Sequence, residues 1–390
     1  MIKIGVLLSA SPGGGAFQYT QAMLNAVLAF PLKFAITAAV GDTLWLDVLP
    51  SRVSVLRLED TTVNRALNKA WHVARLPQSL WRKTAARLDS NVRALQKADC
   101  DLWICPNHDR YSFRAPIPAL GTVHDLMHRY EPRFPEVSEN GEYDLREFHF
   151  GETSRWAKGI LVDSEVGKQQ LIESYEVQPD KVHVLPYIAP AYIYASDPNR
   201  DAEILARYKV PPKFFFYPAQ FYRHKNHKLL IDALARLKAT SPEVRLVLVG
   251  TKERNGFADV QAQVERLGLH ENVQFLGYVP DADIPALYRA ARALVMPTYF
   301  GPTNIPQLEA FALGCPVATS RIYGIPDQVG DAALLFDPGS VDQIFGCLER
   351  LWNDDAVCAE LAEKGRRHAA GWGPEQFRNR LLQIVETLVA

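Results

Sequence analysis

Short apolar runs closed by turn residues alternate with amphipathic stretches along most of the chain. In the first half the runs are "KIGVLLSA", "DLWICP", "ALGTVHD" and "GILVDS", with periodic stretches such as "AFQYTQAMLNAVLAF" between them. A second series follows: "FFFYPA", "RLVLVG", "VQFLGYV", "ALVMPT", "PVATS" and "ALLFDP", separated by "HKLLIDALARLKA", "DVQAQVERLGL", "DIPALYRAARA" and "IPQLEAFALG". Unbroken apolar runs mark strands buried on both faces, and a helical spacer is what a parallel crossover requires. The pattern therefore predicts an α/β chain of two doubly wound, Rossmann-like sheets. Between the series lies "LPYIAPAYIYASDPNRD", Pro-rich and weakly periodic, which reads as a linker near residues 187–200. The expected division is a first domain over 1–190 and a second over 191–372. The 390 residues suit two such cores.

Composition narrows the class without naming a partner. A hydrophobic share of 48%, a charged share of 22% and a formal charge of −1 describe an ordinary globular chain and argue against nucleic-acid binding. Five cysteines, Cys100, Cys105, Cys315, Cys347 and Cys358, sit in apolar patterns without CxxC spacing, so core packing is expected rather than disulfides or zinc. The opening apolar run is too short for a signal peptide, and no stretch of about 18 apolar residues occurs; a cytoplasmic location is the expectation.

Ligands of open parallel sheets bind beyond the carboxyl ends of the strands, so the loops that follow strands hold the candidate chemistry. Gly13, Gly14 and Gly15 precede the first helix, where a glycine-rich turn bares helix amides to an anion; a plain strand-to-helix turn is the alternative. His124 and Asp125 follow another strand, a histidine suited to a phosphate or sugar hydroxyl beside a carboxylate that can orient it, or a satisfied histidine beside a capping Asp. Arg223, His224 and Lys225 crowd the start of a helix, a place that disfavours cations unless an anion joins them. A diphosphate held by Lys225 answers that need, and a solvated basic turn is the alternative. In "GPTNIPQLEAFALGCPV" the amides of Thr303, Asn304 and Ile305 stand at a helix start, suited to a phosphate or sugar. Glu309 lies a turn further on, where a carboxylate can accept from paired ribose hydroxyls.

Two Asp-x-Asp pairs are poorly placed for a metal. "DAD" (Asp281, Asp283) opens a helix as cap and first-turn acid, and "DCD" (Asp99, Asp101) enters a strand at its N-terminal end, so no metal or other cofactor is expected. Between Arg52 and Lys97, basic residues dominate and Trp71, Leu80 and Trp81 lie among them, a composition suited to an anionic membrane surface or to a solvated helical face.

The run "PQLEAFALGCPV", Pro306 to Val317, closely resembles the signature of GT-B glycosyltransferases of family 4. The likeness takes in the Gly-rich first loop, "HDL" at His124, "DSE" at Asp163, "HKN" at His224 and "GIPDQVGDAALLFDP" from Gly324, and so covers nearly the whole chain. The resemblance implies two facing Rossmann-like domains, the first for the acceptor and the second for the donor, with the 373–390 helix packed back on the first. It implies transfer of a hexose from a nucleotide diphosphate sugar, with retention, to a glycan or lipid-linked glycan. It assigns catalytic roles to His124, Lys225 and Glu309, and donor contacts to Gly14, Gly15, Arg223 and Thr303 to Ile305. Two departures stand out. Gly301 replaces the family's first Glu, with Asn304 expected as its substitute, and Gln220 replaces an arginine, with Arg223 expected to supply the cation. The variants "YPAQF…HKNH" and "GPTNIPQLEA" look most like bacterial surface-polysaccharide or O-antigen transferases, mannose being the first donor sugar expected and rhamnose or fucose the second. A GT-B epimerase and a silent sugar-nucleotide-binding subunit are the competing expectations.

Overall fold

The structure is a computed structural model that describes residues 1–11, 13–59, 61–73, 77–252 and 256–390. The described residues form two compact units. One comprises Met1–Leu126, Tyr143–Pro186 and Pro374–Ala390, and the other Met127–Glu142 and Tyr187–Gly373.

In the first unit the described strands are β1 (Ile2–Leu8), β2 (Phe34–Val40), β3 (Ser54–Arg57), β4 (Leu102–Ile104), β5 (Ala119–Thr122), β6 (Gly159–Val162) and β7 (Val182–Val184). They lie in the order β3-β2-β1-β4-β5-β6-β7 with parallel pairings throughout. Ile4 stands opposite Ile36 in one neighbouring strand and Leu102 in the other, and every residue from Ile4 to Leu8 is buried, so β1 is covered on both faces and its apolar run is unbroken. Gly5 is required by packing: a Cβ there would meet Trp103 Cε3 at 2.1 Å. The helix Pro374–Val389 returns to this unit, where it packs on the helix Gly14–Leu28 and sets Leu388 over Gly159.

In the second unit the strands are β8 (Phe215–Pro218), β9 (Leu246–Val249), β10 (Val273–Gly277), β11 (Ala293–Met296), β12 (Val317–Ser320) and β13 (Ala333–Phe336). Their order is β10-β9-β8-β11-β12-β13, again all parallel. The order reverses between β8 and β11 here, and between β1 and β4 in the first sheet. At such switch points the following loops diverge and leave a crevice at the strands' carboxyl ends.

Several expectations are corrected. The stretch read as a linker is packed: Ala189 and Ile193 join the second unit's core, and helices cover Ala191–Tyr194 and Asp201–Tyr208. Segment 127–142 also belongs to that unit, although the chain on either side of it belongs to the other. β2, β3 and β7 add to the strands expected from the apolar runs. "FAITAAV" is too rich in alanine to separate strand from helix, and the other two are edge strands of four and three residues. Trp71 and Trp81 are not surface anchors: their rings meet edge to face at 5.1 Å, and Trp81 is fully buried in the first unit's core. All five cysteines are free thiols, four buried and Cys347 half-buried.

Candidate active site

The loops at the second unit's switch point are stitched together by side chains. After β8 a single tight turn, Arg223–Lys225, precedes the helix His227–Thr240. Between them Asn226 takes the left-handed conformation, φ 59°, which asparagine tolerates better than most residues. Its buried Nδ2 donates to Pro297 O at 2.9 Å and to Pro338 O at 2.8 Å, tying the loops after β11 and β13 to the basic turn. The Tyr299 amide donates to His224 O at 2.8 Å, and the Ser320 hydroxyl to Thr298 O at 2.7 Å. Lys225, half-buried, is thereby fixed in its backbone at the carboxyl edge of the sheet; its carbonyl accepts from the Tyr217 hydroxyl at 2.9 Å.

The anion demanded by the basic turn is supplied in part by the protein. Glu136, from segment 127–142, accepts from the Arg223 amide and lies 3.6 Å from His224 Nδ1. Burial works to raise the Glu136 carboxyl, but the nearby His224 imidazole and the Arg223 amide prevail and hold it below the usual range. His224 is stacked on Phe300, ring centroids 3.7 Å apart. The Arg223 side chain is exposed. Gln220, in the place of the family's arginine, is bound to Thr251, whose amide and hydroxyl donate to Oε1 at 3.1 and 2.8 Å.

The helix Pro306–Leu313 begins with Pro306 at its first position and ends on Gly314 at φ 70°, the left-handed stop that glycine permits. Of the three amides ahead of it, that of Asn304 is already engaged, donating to Gln328 Oε1 at 3.0 Å. The Asn304 side chain, expected to replace the missing carboxylate, donates to Phe300 O at 3.0 Å and braces the loop instead. At Gly301 a Cβ would meet the Tyr323 side chain at 3.4 Å, so this tyrosine crowds the space a side chain at 301 would enter. Glu309 is buried, 6% exposed. Tyr288 Oη donates to its Oε2 at 2.6 Å and Tyr192 Oη to its Oε1. Burial raises the Glu309 carboxyl above its ordinary value and the two tyrosine donors oppose the rise.

In the first unit Gly13 and Gly14 take φ of 93° and 77°, with open space where a Cβ would stand, so the turn needs glycine for its backbone rather than for packing. Gly14 and Gly15 open the helix Gly14–Leu28. His124, two residues past β5, meets the Tyr19 ring edge to face at 5.0 Å and lies 5.2 Å from the His108 ring; His149 is 5.8 Å from His108. The carboxylate of Asp125 is held by Arg146, which donates to its Oδ1 at 2.7 Å. Burial pushes His124 and His149 down to about 4 and His108 well below the ordinary histidine range, so all three are neutral near pH 7. A neutral imidazole with one donor and one acceptor can serve a sugar hydroxyl.

Among the described residues no group of three or more His, Cys, Asp or Glu side chains is arranged to hold a metal ion. Asp283 is buried and accepts from Arg207 at 3.1 Å and Tyr208 at 2.8 Å rather than capping the helix it precedes. Asp101 accepts from the Lys3 amide at 2.7 Å.

Residues 202–368, which carry the basic turn, the 301–305 loop and Glu309, match the family model described as glycosyl transferases group 1. The chain is a glycosyltransferase with a group 1 domain. It is 27% identical over 264 residues to O-antigen chain mannosyltransferase B of Escherichia coli, covering 65% of this chain and 68% of that protein. It is 26% identical over 310 residues to mannosylfructose-phosphate synthase of Agrobacterium fabrum, covering 72% and 67%. HepE of Anabaena, solved with UDP and glucose, aligns with a TM-score of 0.73 at 19% identity over 99% of this chain and 100% of that one. Sucrose-phosphate synthase of Thermosynechococcus elongatus aligns at 0.74 and 18% identity, over 100% and 99%. At such identities the structural likeness establishes the fold, which is GT-B.

Within this glycosyltransferase the structure draws Arg223, Lys225 and Thr303 to Ile305 to the carboxyl edge of the second sheet, with Glu309 one turn into the adjoining helix. His124, Gly14 and Gly15 lie beyond strands of the first sheet. Sequence reasoning missed Tyr192, Tyr288, Glu136, Gln328, His108 and Arg146, because each acts through a partner distant in the chain. Asn226 was within reach: an asparagine directly before a helix, after a basic turn, is a candidate for positive φ.

Proposed function

We propose that the enzyme transfers a hexose, mannose first and rhamnose or fucose second, from a nucleotide diphosphate sugar to a glycan or lipid-linked glycan with retention and without a metal. The observation that carries this reading is that Asn226, next to Lys225, ties the basic turn to Pro297 O, where the chain leaves β11 toward the 301–305 turn, and to Pro338 O after β13, with the carboxylate of Glu309 on the helix that follows that turn. Lys225 meets the diphosphate charge, and the ammonium gains most as that charge develops on the leaving group. Glu309 accepts from the nucleotide ribose. The bond from the sugar C1 to the diphosphate oxygen breaks, the acceptor oxygen bonds to C1 on the same face, and the acceptor proton passes to the departing diphosphate. The protein's contribution is positioning and charge. Neutral His124 contributes a hydrogen bond to the sugar. Mannose is favoured by the names of the E. coli and Agrobacterium relatives, and the first of these points to surface polysaccharide.

A peripheral contact with the cytoplasmic face of the membrane is part of the proposal, on a revised set of residues. Leu80, Lys83, Arg87 and Leu88 form one exposed stripe of the helix Gln78–Leu88, the two leucines 45% and 38% exposed. Arg82, by contrast, donates to Phe113 O and Ala115 O, both at 2.6 Å.

The experiment is transfer from GDP-mannose, GDP-fucose, dTDP-rhamnose and UDP-glucose to lipid-linked glycans, with NMR of the product anomer and with EDTA in a parallel arm. A retained anomer formed in EDTA is expected. An inverted anomer, or activity lost in EDTA and restored by magnesium, overturns the mechanism. Sugar-nucleotide conversion without acceptor, or binding without turnover, overturns transfer itself.

A further inference from the structure

Glu309 is gripped from two sides by elements far apart in the chain. Tyr288 comes from the helix Ile284–Ala290 and Tyr192 from the turn Ala191–Tyr194, and both elements pack on the helix Pro306–Leu313. The Tyr288 ring is fully buried and meets Phe216 edge to face, centroids 4.9 Å apart at 90°, so its hydroxyl is aimed by the core. Tyr192 is partly exposed. One tyrosine donates to each carboxylate oxygen.

An ionised carboxylate only accepts, and its two oxygens offer about four lone-pair sites. Two are filled by the tyrosines, one on each oxygen, which leaves one on each. Two neighbouring hydroxyls of a ribose can donate to that remaining pair in parallel. The tyrosines also answer the cost of burial. A carboxyl this enclosed drifts toward protonation, and a protonated one would present a donor to one of the hydroxyls. The two O–H donors oppose that drift.

We propose that Tyr192 and Tyr288 are positioning residues for nucleotide recognition, holding the Glu309 carboxylate oriented so that its remaining lone pairs accept from adjacent ribose hydroxyls. The inference rests on the assignment of Glu309 to the ribose. Titration calorimetry tests both, with GDP and UDP against their 2′,3′-dideoxy analogues on the wild type, Glu309→Gln, Tyr288→Phe and Tyr192→Phe. The wild type is expected to prefer the ribose form, and Glu309→Gln to abolish the preference. Each Phe variant is expected to weaken the ribose nucleotide about ten-fold, the effect of one hydrogen bond to a charged group, and to leave the dideoxy analogue unchanged. Equal weakening of both forms marks a structural role and overturns the inference, as does full affinity of the Phe variants for the ribose form. A preference that survives Glu309→Gln, or no binding of GDP or UDP to the wild type, overturns the ribose assignment itself. Tyr192→Phe alters a partly exposed ring, so it carries the test should Tyr288→Phe fail to fold.

Discussion

Replacing Asn226 with aspartate changes one NH2 group to oxygen and keeps both the size of the side chain and its tolerance of positive φ. Both bonds from Nδ2, to Pro297 O and Pro338 O, are lost, and a carboxylate then faces two buried carbonyl oxygens. Two buried hydrogen bonds at about 1 kcal/mol each, and a further penalty of about 1 kcal/mol or more for acceptors left unpaired, give a loss of about 3 kcal/mol. For the second unit, about 200 residues long, that corresponds to a fall in melting temperature of roughly 6–12 °C. The sign with pH follows from the same geometry. The carboxyl introduced by the change would titrate above its unfolded value, because only the protonated form can donate to a carbonyl. The deficit is therefore largest at pH 7 and shrinks as pH falls toward 5. Scanning calorimetry of wild type and Asn226→Asp at both pH values measures this, with nucleotide affinity followed in parallel, since the loops after β8, β11 and β13 lose their common tie. Wild-type stability of Asn226→Asp at pH 7 would refute the argument.

Other outcomes follow from the same contacts. His124 and His149, with native values near 4 against about 6.5 unfolded, bind protons in the unfolded state first. Their contribution is complete above pH 6.5 and is lost as pH falls toward 4, so His124→Gln with His149→Gln should flatten the fall of the denaturation midpoint between pH 6.5 and 5. An unchanged slope would exclude these two as its source. Gly250→Ala places a Cβ 2.5 Å from Ala219 O at the end of β9 and should cost about 1–3 kcal/mol by denaturant titration; wild-type stability would mean the strand end yields freely. Lys83→Glu with Arg87→Glu should abolish sedimentation with phosphatidylserine vesicles, at about 1 kcal/mol per cation lost, while leaving the melting temperature unaltered. Equal pelleting of wild type and variant would end the membrane proposal.

The chain's alternation of apolar runs and helical spacers was enough to place the core strands, because a strand buried on both faces has to be apolar at every position. Edge strands β3 and β7 escaped notice since so few of their residues are buried. The Pro-rich stretch after β7 misled for a related reason: proline signals a break in regular structure, not whether the broken chain packs, and Ile193 packs fully. Lys225 stood out in the sequence because a cation at a helix start is disfavoured without an anion, and Glu309 because of the Gly-Pro-Thr-Asn turn ahead of its helix; the structure puts both in the second unit beyond the carboxyl ends of its strands. Their supports were not legible. Nothing local marks Tyr288 or Tyr192 as partners of Glu309, and the conflict of cations at the 223–225 turn pointed to a diphosphate without revealing that Glu136 also answers it. The same limit explains Trp71 and Trp81, whose basic neighbours suggested a surface while Trp81 lies in the core with the half-buried Trp71 ring against it.

The diphosphate of a bound nucleotide is assigned to Lys225. Calorimetric titration of GDP and UDP, each with the matching nucleoside monophosphate, into wild type and Lys225→Ala tests it most directly. The wild type is expected to bind a diphosphate more tightly than its monophosphate, and Lys225→Ala to erase most of that difference while keeping its fold. An undiminished preference for the diphosphate in Lys225→Ala would contradict it.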